Sequence, residues 1–337
     1  MRLLQYVGKR LLQLIPVLLG VSIIIFTISH VLPGNPVYLF VGIDTTPEEI
    51  EAITKRLGLD KPLHEQYFIW LGNVLRGDLG DSWFTSESVA QDLIRRFPAT
   101  FEMTTVALFV SIALGVPLGV LSAVYRNSWI DNISRGITLL GVSVPSFWLG
   151  LLLIYVLFFV LRIFPPPSGR IGLLVSPPDR ITGLYLVDSL VTGNWKAFTS
   201  SAQHLALPVI TQALVTLAPI TRLMRSSMLE VLGSEYIQAA RANGVPDRQI
   251  YFRDALRNAL LAPLTFVALV YGNLLGGSVV LERIFSWPGI GRYALESIVV
   301  KDYNAVQGFV LLAAVLYVLV FLIVDILYFV IDPRITA

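Results

Sequence analysis

The chain contains no cysteine among its 337 residues. Disulfides, thiolate metal sites and thiol catalysis are therefore excluded. Charge is scarce as well: Asp, Glu, Lys and Arg make up 14% of the sequence against 55% hydrophobic residues, and mean hydropathy is +0.71. That balance excludes a soluble domain and indicates a polytopic membrane protein. No G-x-x-x-x-G-K-[ST] phosphate loop occurs, and none of the five lysines lies in a glycine-rich turn, so the chain is not its own ATPase. Histidine is limited to three residues. His64-Glu65 begins as a zinc-protease motif would, but the second histidine is missing, and surface helix positions are the better account. His30 and His204 stand at span ends, where interfacial placement suits them. No basic, aromatic-interleaved patch points to nucleic acid, and a net charge of +2 decides nothing about partners.

What is present is a set of uncharged stretches near the roughly 20 residues that cross a bilayer. They run Leu11–Leu32, Met103–Val124, Gly136–Leu161, Gln203–Thr221, Asn258–Leu281 and Tyr303–Val324, so six spans are expected. The fourth is the shortest and carries Pro208 and Pro219, tolerable where neighbouring helices satisfy the freed carbonyls. Arg2, Lys9 and Arg10 precede the first span, Arg126 and Arg135 flank the loop after the second, and six arginines lie from Arg222 to Arg257. These segments are expected in the cytoplasm, with both termini. Arg95-Arg96 are a local violation that the other loops outvote. The first span exceeds a typical signal-peptide core and no Ala-x-Ala site follows it, so it is expected to stay attached.

Three regions follow: 1–32 with the first span, 33–97 as an external helical insertion, and 98–337 as a five-helix core containing a cytoplasmic segment at 225–257. Within the insertion, Thr46-Pro47-Glu48-Glu49 reads as a capping box opening a helix that Gly58 ends. Leu63 to Leu75 then places Tyr67, Trp70, Leu71 and Val74 on one stripe, ended by Gly77 and able to pack on the rim of the bundle. Arg162–Ala202, rich in proline and glycine, reads as an irregular external loop.

The segment from Glu235 to Gly244 stands apart, because a charged, alanine-rich helix interrupts membrane-embedded sequence. Ser234 can cap its start, Glu235 favours its positive end, and Asn243-Gly244 supplies a left-handed turn at its end. Pro246-Asp247 opens a second arm reaching Asn258. The pair is too polar for lipid and too small-faced at Ala239 and Ala240 to form its own core. It is a docking device for a partner's groove or an ordinary cytosolic loop; spacing supports either.

Inside the spans only Glu102, in the first turn of the second, and Asp325, near the end of the sixth, are acidic, and both can reach an interface in a structural role. The middle of each span lacks carboxylates, which disfavours an ion-coupled carrier. A membrane enzyme would need a Ser/His, Asp/Asp or metal constellation, and none assembles. Gly272, Asn273, Gly276, Gly277 and Ser278 make span five the small and polar one. Gly272 and Gly276 suit close helix packing or a water-filled path, and Asn273 suits the path. Gly115 and Gly119 around Pro117, and Ser143, Pro145 and Ser146 in span three, mark kinks that serve a gate or static architecture.

Several short elements occur in a telling order: Leu32-Pro33-Gly34-Asn35-Pro36, Leu57-Gly58-Leu59-Asp60, Gly77-Asp78-Leu79-Gly80, Pro98-Ala99-Thr100, Ser143-Val144-Pro145-Ser146-Phe147, Gln238-Ala239-Ala240 with Gly244, Gly276-Gly277, Phe285-Ser286-Trp287-Pro288-Gly289 and Asp332-Pro333-Arg334. Over nearly its whole length the chain resembles the inner-membrane permease subunits of binding-protein-dependent ABC importers, in the dipeptide, oligopeptide and nickel family. It departs from that pattern in Gln238, where the family's cytoplasmic motif has glutamate, and in Pro263, which falls about a residue late and leaves the start of span five open.

The resemblance implies an all-α, six-span permease of the type I importer class in a bacterial cytoplasmic membrane. It implies short peptides as substrate, with nickel chelates, glutathione or oligosaccharides as alternatives. It also implies a second homologous permease, two cytosolic ATPase subunits that bind ATP and Mg, an external binding protein, and no cofactor in this chain. Glu235, Gln238, Ala239, Ala240, Arg241 and Gly244 would form the coupling helix seated in the ATPase. Ser143, Pro145, Ser146, Asn273, Gly276 and Gly277 are the candidates for the translocation path.

Overall fold

The computed structural model describes residues 2–31, 46, 48, 55, 60–276 and 278–331. Most of the capping-box helix at 46–58, the elements at 32–36 and 57–59, Gly277 and the terminal 332–334 element lie outside the described residues. Among the described residues the fold is helical, and the one β pairing is an isolated antiparallel bridge between Asp81 and Ser88. Four helices among the described residues are long and apolar enough to cross a membrane, and two bent helix pairs reach that criterion together, giving up to six spans. A membrane favours this economy because each helix satisfies its own backbone hydrogen bonds.

Helix α1 (Arg2–Val31) packs along the last described helix, which spans Tyr303–Ile331. Two polar ties at opposite ends make the pair antiparallel: Arg10 Nε lies 3.2 Å from Asp325 Oδ2, and Gln307 Nε2 donates to Ser29 Oγ. Helix α2 (Leu63–Leu75) lies on the rim of α1 through the stripe expected of it. Tyr67 shares a 2.8 Å hydrogen bond with Ser22, and Phe26 meets Tyr67 and Trp70 at centroid distances of 5.4 and 5.6 Å.

The centre is α3 (Val89–Val124) against the Trp195–Leu232 helix. Both run unbroken through their prolines, Pro98 and Pro117 in one, Pro208 and Pro219 in the other. Small residues permit the close approach. A Cβ on Gly119 would stand 2.7 Å from Met224 Cβ, and one on Gly115 would stand 3.2 Å from Ile220. The fourth span, expected as the shortest, is thus a 38-residue helix whose membrane stretch is 67% buried, against 17% for α1. Its packing against several neighbours outweighs a modest apolar run.

Span three is not one helix: α4 (Trp129–Ser143) and α5 (Ser146–Leu153), the latter continued by a π-helical turn over Ile154–Val160, meet at 105°. Pro145 sets this break, since the residue before a proline is driven out of the helical region, and Val144 is extended at ψ 123°. The Arg162–Ala202 segment is not irregular throughout. It contains α6 (Tyr185–Val191), and the long central helix, α7 (Trp195–Leu232), already begins within it, capped by Asn194 accepting from Ala197 N at 3.0 Å.

Beyond α7 come α8 (Glu235–Ala242), α9 (Asp247–Gln249), a π-helical turn over Ile250–Ala255, α10 (Leu256–Ala259) and α11 (Leu261–Leu275). The open start of span five is resolved by a 49° bend at Leu260, with Pro263 in the first turn of α11 where its missing N–H is harmless. Then α12 (Val279–Ile284) and α13 (Ile290–Val299) lead into α14 (Tyr303–Ile331). Helix α3 runs continuously across the expected region boundary at 97/98.

Candidate functional site

Helix α8 ends as the sequence foretold, in a Schellman turn. Gly244 takes φ +77°, Val245 N donates to Ala240 O at 3.1 Å and Gly244 N to Arg241 O at 2.9 Å. The start differs from expectation. Ser234 occupies the capping position, yet its hydroxyl donates back to Val231 O at 2.6 Å instead of accepting from the helix, while Gln238 Nε2 reaches Gly233 O at 3.1 Å. Ile237 is fully buried among Val120 and Ala123 of α3, Met224 and Met228 of α7, and Ile250, Ala255 and Ala259. Ala240 packs against this cluster too, so Ala239 and Ala240 do not share one docking face. The outward face consists of Glu235, Tyr236, Gln238, Ala239, Arg241 and Ala242. Asn258 Nδ2 donates to Tyr236 Oη at 2.8 Å and links the two arms.

Nearer the N-terminal end of α3 several of the scattered short elements converge. Trp287 Nε1 donates to Ala99 O at 2.8 Å, Thr100 Oγ1 donates to Glu282 Oε1 at 2.7 Å, and Ile290 N donates to Thr100 Oγ1 at 2.9 Å. Glu282 is 0% exposed and also accepts from Arg292 N at 2.7 Å. Burial pushes its carboxyl above the usual carboxylate range, against the pull of the Thr100 hydroxyl and the Arg292 and Gly291 amides. Glu102 lies well inside α3, where it is buried and paired with Arg170 at 2.7 Å, so a partner and not the interface neutralises it. Arg170 in turn stacks over Tyr185, 3.6 Å from the ring centroid, and donates to Gly183 O at 2.9 Å. Gly77 (φ +83°) turns the chain so that Leu79 packs with Val89, Leu93 and Tyr293.

The residues singled out for a path fall in two places. Ser143 and Pro145 are exposed at the α4–α5 break and Ser146 opens α5. Asn273 is exposed on α11, and Gly276 follows that helix. The two glycines of span five are not alike. A Cβ on Gly272 would stand 2.7 Å from the Tyr317 ring of α14, whereas one on Gly276 meets Ala313 Cβ at 3.9 Å, an ordinary contact. Close packing belongs to Gly272.

Residues 115–337 match the family described as the inner membrane component of binding-protein-dependent transport systems, and residues 3–104 match that component's N-terminal part. This chain belongs to that family. The permease is 43% identical over 327 residues to a probable D,D-dipeptide transport system permease of Escherichia coli K12, covering 97% of this chain and 96% of the relative. A dipeptide transport permease of Alkalihalophilus pseudofirmus is 42% identical over 336 residues, 99% of each chain. A glutathione transport permease of Escherichia coli is 35% identical over 333 residues, again 99% of each. The inward-facing methionine ABC transporter aligns at a TM-score of 0.49 and 20% identity over 71% of this chain and 96% of that one, a likeness too slight to carry an argument.

Sequence reasoning missed several of the permease's buried polar residues. Glu282 lies one residue past the expected span five, and Asp131 on α4 is as fully buried. Gln212 sits inside α7 at 2% exposure, and among the described residues neither of its amide atoms has a hydrogen-bond partner. An uncharged amide in the proline-bearing span was the visible signal for it.

Proposed function

We propose that this permease moves dipeptides and short oligopeptides inward across a bacterial cytoplasmic membrane, driven by ATP hydrolysed with Mg on two separate cytosolic ATPase subunits. A second homologous permease completes the membrane part and an external binding protein delivers substrate. The relatives named for dipeptide transport support the substrate class, and the missing phosphate loop supports an ATPase on other chains. The observation that carries the mechanism is α8, anchored inward by Ile237 and presenting a polar, small-residue face outward. Glu235, Gln238, Ala239, Arg241 and Gly244 would seat or shape that face in the ATPase groove, with Ala240 setting its depth from the inside. Residues 33–97 would then form an external helical insertion, and 98–337 the core with the coupling segment 225–257. The defining experiment is uptake in vesicles containing the full complex, with a panel of L-dipeptides, a D,D-dipeptide, glutathione, a nickel chelate and an oligosaccharide. Dipeptide accumulation that requires ATP is the expected result; accumulation of the chelate or the sugar alone would reject the substrate class.

Orientation is tested with the chain's natural lack of cysteine. A cysteine at Lys196 should react with an impermeant thiol reagent added to intact cells, and one at Ala239 should not; both sites are exposed. The reverse pattern would place α8 outside and remove the coupling role.

Span five separates packing from path. Asn273→Leu should lower uptake while leaving complex yield intact, because an exposed amide is lost without disturbing helix contacts. Gly272→Leu should lower complex yield, since overpacking against Tyr317 costs about 1–3 kcal/mol or more. Gly276→Leu should leave yield near the wild-type value. Full uptake by the Asn273 variant would take that residue off the path. Ser143, Pro145, Ser146 and Gly277 belong to the same proposed route.

A further inference from the structure

Asp131, in the first turn of α4, is 0% exposed, and three helices meet at its carboxylate. Oδ1 accepts from Ser122 Oγ of α3 at 2.6 Å and from Arg225 Nε of α7 at 2.7 Å. Oδ2 accepts from Arg225 Nη2 at 2.9 Å, from Arg135 Nη2 at 2.6 Å and from Asn127 N at 3.0 Å. Arg225 therefore grips the carboxylate with two prongs of one planar fork, a geometry that fixes distance and angle together. Asn127 contributes its amide from a left-handed turn at φ +63°, which brings the α3–α4 connection onto the same atom.

These contacts are adjacent to the anchor of α8. Ser122 stands between Val120 and Ala123, and Arg225 between Met224 and Met228; those four apolar residues hold Ile237. The same short stretches of α3 and α7 thus bind the carboxylate and the buried side of α8. Net stability is a weak account of the arrangement, because the Arg225 and Arg135 side chains remain 22% and 51% exposed and solvent screening keeps the worth of such pairs small. Register does explain it. Apolar helix faces can slide between near-equivalent packings, whereas a two-pronged pair with a third helix on the same acid is satisfied in one alignment only.

We infer that Asp131 and Arg225 are positioning residues that clamp α3, α4 and α7 into one block with α8, so that a push on α8 is delivered to the membrane helices and not absorbed between them. This rests on the docking of α8 in the ATPase. Without the clamp, α8 would still engage and ATP would still be hydrolysed, but hydrolysis would move little substrate.

The test uses the complete complex with its ATPase subunits and binding protein in vesicles, and the best-accumulated dipeptide of the panel as probe. Cross-linking of a cysteine at Ala239 to the ATPase subunit, in a chain otherwise unaltered, checks the docking first. Its absence would overturn the docking reading before any clamp variant is examined. In chains with native Ala239, D131N and R225K should then hydrolyse ATP within about twofold of wild type, while substrate moved per ATP falls about tenfold. The cross-link, repeated in each variant background, should persist. R225K keeps the charge and loses the fork, so it carries the test if D131N fails to assemble. A ratio of uptake to hydrolysis equal to wild type in R225K, even with both rates reduced, would show a purely structural ion pair and overturn the clamp.

Discussion

Gly244→Val is expected to reduce uptake at least tenfold while the permease still inserts and assembles. No atom lies within 4 Å of where the new Cβ would stand, so the effect cannot be a clash. It is conformational. The Schellman turn needs φ +77° at this residue, a region that L side chains enter at a cost of about 1–2 kcal/mol and that β-branched residues resist most. A chain that refuses the turn swings the exit of α8 and tilts the face that Ile237 holds outward. A graded series checks this reading: Gly244→Asn should retain most uptake because asparagine tolerates the left-handed region, Gly244→Ala should fall between, and valine should be worst. Equal uptake across the series, measured with complex yield and ATP hydrolysis, would reduce the segment to an ordinary loop.

Gly289→Ala should act through the opposite cause and with greater effect on assembly. Its backbone is extended, with φ −94° and ψ −178°, so alanine meets no conformational penalty. The obstacle is space. The added methyl would press on Thr100 Oγ1 and on the Glu282 carboxylate, each buried and already bound to the other at 2.7 Å. To admit it, the Thr100–Glu282 bond must open and leave a buried acid short of a donor, which adds about 1–3 kcal/mol or more to the packing strain. The expected result is a severalfold loss of assembled complex, read by detergent extraction and size-exclusion chromatography. Glu282→Gln, which keeps the volume and most hydrogen bonds, should assemble far better than Gly289→Ala. Normal yield of the Gly289 variant would mean that the Pro98–Thr100 and Phe285–Gly289 elements are not tightly joined.

The spans were legible because lipid imposes a one-dimensional rule: about 20 apolar residues, with every backbone group satisfied inside the helix. The Gly244 turn and the α2 stripe of Tyr67, Trp70, Leu71 and Val74 were legible for a related reason, since a helix end and a helix face depend on neighbours in sequence. Pro145 announced a break, but its 105° angle was fixed by what α4 and α5 pack against. The partners of Glu102, Asp131 and Glu282 were hidden, because an acid's worth depends on the group that meets it in space; Glu102 finds Arg170, Asp131 finds Arg225 and Glu282 finds Thr100, each far away in sequence. Equally hidden was the difference between Gly272 and Gly276, and between Ala239 and Ala240. Sequence alone determined where the long apolar stretches lie and where the helix before Gly244 ends. Tertiary structure decided which side of each helix is used, because burial is a property of the contact and not of the residue.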